Sequence, residues 1–497
     1  MPTQHASLHL RGEPMTDFNK IFIGGEMVAP DGQGRIEVIS PVTEEVYGTA
    51  PDASTADMDR AVAAARNAFD NGPWPSMTPD ERADAIARLS ASLQARAMEI
   101  ADVITNENGS VKSFSIMGQV FASTMVLDTY AGIARTYEFE NRRAGALGGD
   151  VRVRRAPVGV VAGIIPWNVP LYITAMKLGP ALASGSTIVL KPSPETSLDA
   201  YLLADAIMEA GIPEGVINIV AAGREVSEYL VSHPQIDKVS FTGSTPVGRR
   251  IASICGEQIK RCTLELGGKS AAIVLDDVNL DDALLDQLLM SGLMNNGQAC
   301  GAQTRILIPR GRYSEIVEAI GEAMSNMVVG DPNEESSQIG PLVAERQRSR
   351  VLGYIESGKS EGARVVTGGG RPADLEKGWY VSPTLFADAN NQMKIAREEI
   401  FGPVLTAIPY DTEAEAVAIA NDSDYGLCGS VWTSDFEHGG QIAAQVRTGV
   451  MAINTMAILD FNAPFGGFKN SGLGRELGPE GLDAYTELQS IILPAAG

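Results

Sequence analysis

The chain has little of several things that would announce a function. Four cysteines in 497 residues, Cys255, Cys262, Cys300 and Cys428, are too few and too scattered for a disulfide framework. No Cys-x-x-Cys pair or Cys/His cluster has metal-ligand spacing, so no metal site is expected. Of four histidines only His5 and His9 sit four apart, in a polar N-terminal tail. Basic residues are scarce: 39 Lys and Arg face 62 Asp and Glu, a formal charge of −23, and such a surface repels phosphate backbones and anionic lipid headgroups. Neither a nucleic-acid nor a membrane partner is expected. No apolar run approaches the roughly 20 residues of a membrane span. The first twenty residues lack both the apolar core of a secretory signal and the Arg-rich pattern of an organellar one, so the chain reads as cytoplasmic.

What is present is apolar mass, 44% of residues, enough for the cores of two to four domains at roughly 100 to 200 residues each. After a short Gly-rich stretch the N-terminal region reads as helical. Thr78-Pro79-Asp80-Glu81 is a capping box that predicts a helix running towards Gly109. In residues 141–159, Val151 and Val153 alternate with arginines, the pattern of a half-exposed strand whose edge a partner chain could cover. From Val158 the texture changes to short unbroken apolar strands alternating with helices: VGVVAGII, STIVLK, a helix opened by Ser197, VINIV and DKVSF. Strands buried on both faces by crossover helices read this way, which predicts an α/β fold with a parallel, doubly wound sheet. The pattern restarts with AAIVLD, a helix from about Asn279 and TRILIP, so a second α/β domain is expected from residue 264. The tail YTELQSIILP reads as one more strand.

Ligands of open parallel sheets sit beyond the carboxyl ends of the strands. Three turns there are distinctive: Ile164-Ile165-Pro166-Trp167-Asn168, Lys191-Pro192-Ser193, and Phe241 through Gly248. In the last, Gly243 and Gly248 allow close backbone approach, and a helix N-terminus offers amides to a pyrophosphate. A plain tight turn would look the same. Two motifs are decoys. Gly267-Gly268-Lys269-Ser270 ends like a P-loop, but residue 263 is threonine where the first glycine belongs. Gly358-Lys359-Ser360-Glu361-Gly362 matches a nucleophile elbow but follows a helical stretch, not a strand.

The sharper signal is Asn295-Asn296-Gly297-Gln298-Ala299-Cys300. A lone cysteine is usually an inert small hydrophobe. Here small and amide neighbours leave the thiol approachable. Glu265 stands in an apolar strand end, where burial would raise its pKa from about 4.3 towards neutrality. With the Asn168 amide, the three supply a nucleophile, a proton acceptor and an oxyanion donor.

This constellation resembles the aldehyde dehydrogenase superfamily, in its hydrolytic, non-acylating branch, over nearly the whole chain. Nine signatures stand in family order: Pro166-Trp167-Asn168, Lys191-Pro192, Phe241 to Ser244, Leu264 to Lys269, Gly297 to Cys300, Glu399 to Pro403, Asn454, Pro464 to Gly467, and Ser471-Gly472 through Glu476. The resemblance implies two Rossmann-like domains, cofactor-binding over 1–140 and 160–263 and catalytic over 264–470, with a small β oligomerisation element over 141–159 and 478–497. It implies that Cys300 attacks the aldehyde carbonyl to give a thiohemiacetal and then a thioester, with Glu265 as general base. The oxyanion would rest on the Asn168 side chain and the Cys300 backbone N–H. Lys177 and Glu476 match a proton relay behind the base; otherwise they are an ordinary surface cation and a helix-start anion.

For the cofactor, NAD or NADP, the resemblance implies contacts from Ile164, Ile165, Pro166, Trp167, Asn168, Lys191, Ser193, Pro194, Gly223 and Ser227. A second group comprises Phe241, Thr242, Gly243, Ser244, Val247, Glu265, Leu266, Gly267, Glu399 and Phe401. Many relatives carry glutamate where Pro194 stands, which leaves NADP open; NAD is expected because no added cation nearby awaits a phosphate. A substrate tunnel of Val169, Tyr172, Met176, Met456, Leu459 and Phe465 has neither an arginine for a carboxylate nor an acidic aromatic cage, pointing to a hydrophobic aliphatic, terpenoid or aromatic aldehyde. A homodimer or homotetramer is implied. The alternatives are a cysteine-dependent esterase or thioesterase, or a non-catalytic dinucleotide-binding protein, on the same fold.

Overall fold

The computed structural model describes residues 16–494; His5 and His9 and the chain ends lie outside the described residues. The first sheet has eight strands, in the order Gly472–Leu473, Arg261–Glu265, Lys238–Thr242, Val160–Ile164, Thr187–Lys191, Ile217–Ile219, Ile21–Ile23 and Glu26–Val28. Its five central strands are parallel, and the outer ones are antiparallel. The second sheet has seven strands, in the order Arg364–Thr367, Thr384–Ala387, Val404–Tyr410, Arg305–Pro309, Ala271–Val274, Cys428–Trp432 and Val450–Ile453. All of its pairs are parallel except the first.

Each sheet separates two apolar layers. Val161, Ile188 and Ile217 pack on one face of the first sheet, while Val160, Ala162 and Val189 pack on the other. Ala271 and Ile273 oppose Ala272 and Val274 in the second. Both faces are covered by helices, which is why these strands are apolar without alternation. The strand ending at Glu265 bonds into the first sheet, and the second begins at Ala271.

Several local expectations change. The N-terminal region is strand before it is helix: Gly34–Ile39 and Val46–Asp52 pair antiparallel, and the first helix, Thr55–Asp70, is opened by a Ser54/Asp57 capping box. Thr78 and Glu81 do form their capping box, but the helix stops at Ala95 and a second, Ala97–Asn108, follows. Gly109 caps it at φ +80, where a Cβ would press on Pro341. Residues 141–159 fold as two strands, Glu140–Ala144 and Asp150–Pro157, not one. The second lies between the first and the tail strand Thr486–Leu493, so the chain covers both of its edges itself. The exposed apolar side chains move outward to the tail strand, at Leu488 and Ile492. Among the described residues no helix is long and apolar enough to cross a membrane.

Candidate active site

A cleft of about 510 Å³ opens at the carboxyl ends of the first sheet's strands, and Asn168, Glu265 and Cys300 all line it. Cys300 reaches it through an unusual turn. After the Asp282–Leu293 helix, Asn295 (φ 53), Asn296 (φ 60) and Gly297 (φ 72) are three successive left-handed residues. Only glycine takes that conformation freely, and at Gly297 a Cβ would also run into the Gly402 carbonyl. The asparagines are held there by their side chains. Asn296 Nδ2 donates to the carbonyls of Gly109 (2.9 Å) and Pro341 (3.0 Å), and its Oδ1 accepts from Gly340 N–H (2.7 Å). Asn295 Nδ2 donates to the Asn168 carbonyl (2.9 Å), and its Oδ1 accepts from Ser110 (2.5 Å). The amides beside Cys300 are therefore buried pins that aim the turn, not an open approach to the thiol. Cys300 itself is half-buried. Burial, then the carboxyls of Glu399 and Glu265, push its pKa up to about 12, so its thiolate needs a base.

Glu265 is buried at its strand end, and among the described residues neither carboxylate oxygen has a hydrogen-bond partner. Burial, and then the Glu476 carboxylate, hold its pKa well above the usual range; Lys177 pulls the other way. Lys177 and Glu476 are fully buried and ion-paired at 2.7 Å. That overturns the reading of them as a surface cation and a helix-start anion. Lys177 also donates to Thr242 Oγ1 (2.8 Å), and Ser240 donates to Glu476 (3.1 Å). Alternation along two neighbouring strands puts Ser240, Thr242, Thr263 and Glu265 on one face. Hydrogen bonds thus join Thr242, Lys177, Glu476 and Ser240 on the face of the first sheet that also carries Glu265. Asn168 donates from Nδ2 to the Gln298 carbonyl (2.8 Å), which leaves its second amide hydrogen for the cleft.

Of the residues expected at the cofactor, Pro166, Trp167, Thr242, Gly243, Ser244, Leu266, Gly267, Glu399 and Phe401 line the cleft. Trp167 and Phe401 meet edge to face at 5.2 Å, Phe401 at φ 64. Ser244 precedes the Thr245–Glu257 helix and makes no side-chain cap, so its first amides stay open to a ligand. The glycines are cramped: a Cβ on Gly248 would strike Leu266, and one on Gly267 would strike Glu399. Glu399 accepts from Gly268 N–H (3.0 Å), and burial raises its pKa to about 7. Ile164, Ile165 and Phe241 are buried in or beside their strands, behind the wall of the cleft. Val247 is exposed on the Thr245–Glu257 helix.

Lys191, Ser193, Pro194, Gly223 and Ser227 are not among the lining residues of the cleft. Lys191 is buried, which brings its pKa down to about 8. Gly223 precedes the Arg224–Ser232 helix, its N–H donates to Asp52 and its carbonyl accepts from Ser227. The expectation that no cation lies near Pro194 is corrected: Arg346, far along the chain, lines the cleft and ion-pairs with Glu195, which also accepts from Ser193. Tyr354, Arg350 and Tyr425 complete the rim. No sequence signal marked them, because they arrive from the second sheet's helices and loops.

Five of the six tunnel candidates, Val169, Tyr172, Met176, Leu459 and Phe465, pack in one apolar cluster that also contacts Cys300. Met456 is set apart, its N–H donating to Gln287. Ile458 and Phe461 belong to the same cluster and were missed, since loop residues between motifs carry no periodicity. Of the decoys, Gly267 to Ser270 links the two sheets, and Gly358 to Ser360 ends a helix.

Residues 27–491 match the model of the aldehyde dehydrogenase family. The chain belongs to that family. It is 47% identical over 479 residues to the geranial dehydrogenase of Castellaniella defragrans, covering 96% of this chain and 99% of that one. The crystal structure of a Mycobacterium tuberculosis aldehyde dehydrogenase complexed with NAD+ superposes with a TM-score of 0.95 at 49% identity, over 97% and 99% of the chains. A Pseudomonas syringae aldehyde dehydrogenase in complex with NAD+ and octanal superposes at 0.92 with 40% identity, over 96% and 98%.

Proposed function

We propose that this aldehyde dehydrogenase oxidises a hydrophobic aldehyde, aliphatic, terpenoid or aromatic, to the carboxylic acid with NAD, through a thioester on Cys300. The observation that carries the reading is the convergence of Cys300, Glu265 and Asn168 on one cleft whose far wall is a glycine turn and an uncapped helix start. That wall fits a pyrophosphate, and Glu399, Phe401 and Trp167, which line the same cleft, would hold a nicotinamide and its ribose. Lys191, Ser193 and Gly223 would serve the adenosine end.

The ionised Glu265 takes the Cys300 proton, directly or through a water, and the thiolate attacks the aldehyde carbon. The resulting oxyanion rests on the free Asn168 amide hydrogen and the Cys300 backbone N–H. Bound NAD supplies the acceptor that takes the hydride from this carbon, leaving a thioester. Glu265 then removes a proton from the water that releases the acid, and the buried pair of Lys177 and Glu476 carries the proton away.

The apolar cluster beside Cys300 supports the substrate class, and geranial and octanal in the names of relatives are hydrophobic aldehydes. We assign cofactor binding to 1–140 and 160–263, catalysis to 264–470, and oligomerisation to 141–159 and 478–497. A homodimer or homotetramer would bury Leu488 and Ile492. The test is reduced-nicotinamide formation with NAD and with NADP over graded aldehydes. Geranial and octanal should exceed betaine aldehyde and succinic semialdehyde in kcat/KM, with Cys300→Ala inactive. A preference for the charged aldehydes would refute the substrate class, and an active Cys300→Ala the mechanism.

A further inference from the structure

Two thiols lie at the far end of the unit that builds the cleft wall. The Thr245–Glu257 helix starts at the cleft and leads away for 13 residues, about 20 Å at 1.5 Å per residue. The chain turns at Ile259 (φ 55) and returns as the strand Arg261–Glu265, ending at the cleft again. Lys260 N–H donates to the Cys255 carbonyl (2.8 Å) and closes the turn. Cys255, in the last turn of the helix, is buried in an apolar layer with Ile251 and Ile254, and Cys262 packs against the same layer. Cys262 registers with Val239, so it and Leu264 face the helix. Thr263, on the opposite face, accepts from Lys238 Nζ (2.6 Å).

Cys255 and Cys262 share this apolar layer closely enough for each thiol to perturb the ionisation of the other. The pair is asymmetric. The neighbouring Cys255 thiol, with the Lys238 charge nearby, holds Cys262 below the usual thiol range, while Cys255 is pushed above it. Cys255 is sealed in and Cys262 is half-buried, so a small reagent meets Cys262 first.

We propose that Cys255 and Cys262 form an oxidisable dithiol that takes a hydroperoxide as its substrate and closes to an intramolecular disulfide. The Cys262 thiolate attacks a peroxide oxygen. The O–O bond breaks, the leaving oxygen departs as water after protonation, and Cys262 becomes a sulfenic acid. The Cys255 sulfur then attacks the Cys262 sulfur, the S–O bond breaks, and a second water leaves. Two thiols are oxidised and one hydrogen peroxide is reduced to two waters.

The test treats the intact enzyme with a small excess of hydrogen peroxide, blocks remaining thiols with iodoacetamide and digests with trypsin. Cleavage after Arg250, Lys260, Arg261 and Lys269 puts the cysteines on separate peptides, 251–260 and 262–269. The expected product is a cross-linked pair, lighter by two hydrogens than its parts and released by dithiothreitol. Before oxidation, Cys262 should alkylate about tenfold faster than Cys255 at neutral pH. In Cys255→Ser, Cys262 should accumulate instead as a dimedone-trapped sulfenic acid, with aldehyde oxidation retained as the sign of folding. Recovery of both peptides as free thiols after Cys300 has already been oxidised overturns the proposal. The wild-type cross-link decides the question even where a variant fails to fold.

Discussion

Replacing Glu476 with glutamine isolates one source of the perturbed proton affinity of Glu265. The Glu265 pKa is raised first by burial and second by the Glu476 carboxylate, with Lys177 opposing. At an effective dielectric near 20, a unit charge about 4 Å away contributes roughly 4 kcal/mol, and less as the separation grows. Lys177, 2.7 Å from Glu476, already offsets part of the Glu476 charge, so removing the carboxylate should lower the Glu265 pKa. The amide keeps the shape and can still accept from Ser240. The ascending limb of the pH profile should therefore move towards lower pH, whatever happens to its height if the proposed relay is lost. The assay is acid release in single turnovers, so that cofactor release does not mask the base. Glu476→Asp, which restores the charge, should return the limb towards the wild-type position. A limb that stays put or moves to higher pH in Glu476→Gln would refute the electrostatic account of Glu265.

Three other outcomes check other parts of the site. Asn168→Ala should lower kcat by about 10² to 10³, the usual loss for one oxyanion donor, while NAD affinity, read from Trp167 fluorescence, stays within about threefold. Asn296→Ala removes three buried hydrogen bonds that hold a left-handed turn. It should cost about 3 kcal/mol, read as a lowered urea midpoint, and reduce activity because the turn aims Cys300. Asp199 is buried beside Glu107, and burial raises its pKa to about 7. A carboxyl with a raised folded pKa stabilises fully below its unfolded value, and that stability falls as pH rises, by at most about 1.4 kcal/mol per unit, levelling off near pH 7. Asp199→Asn should flatten that fall in a denaturation series; an unchanged slope would place the dependence elsewhere.

The three residues proposed for catalysis, which the structure brings to one cleft, could be picked out in the sequence because motif chemistry is local. The strand carrying Glu265 and the segment ending in Cys300 each show a polar residue where pattern alone calls for an apolar or bland one. The unbroken runs at Val160–Ile164 and Thr187–Lys191 likewise disclosed a sheet covered on both faces. Two of the misses depend on partners distant in sequence. The edge at Asp150–Pro157 is covered by a strand more than 300 residues later. Arg346 finds Glu195 across the cleft from a helix of the second sheet.

Sequence by itself determined the two parallel sheets and singled out Cys300, Glu265 and Asn168 as candidates, because hydrophobic period and residue chemistry are properties of short segments. Only the tertiary structure decided that Lys177 and Glu476 are a buried pair rather than surface charges, that Asn295 and Asn296 are pins rather than openings, and that Cys255 and Cys262 share one apolar layer. Burial and charge separation fix those roles, and both come into being only when segments far apart in the chain exclude water together.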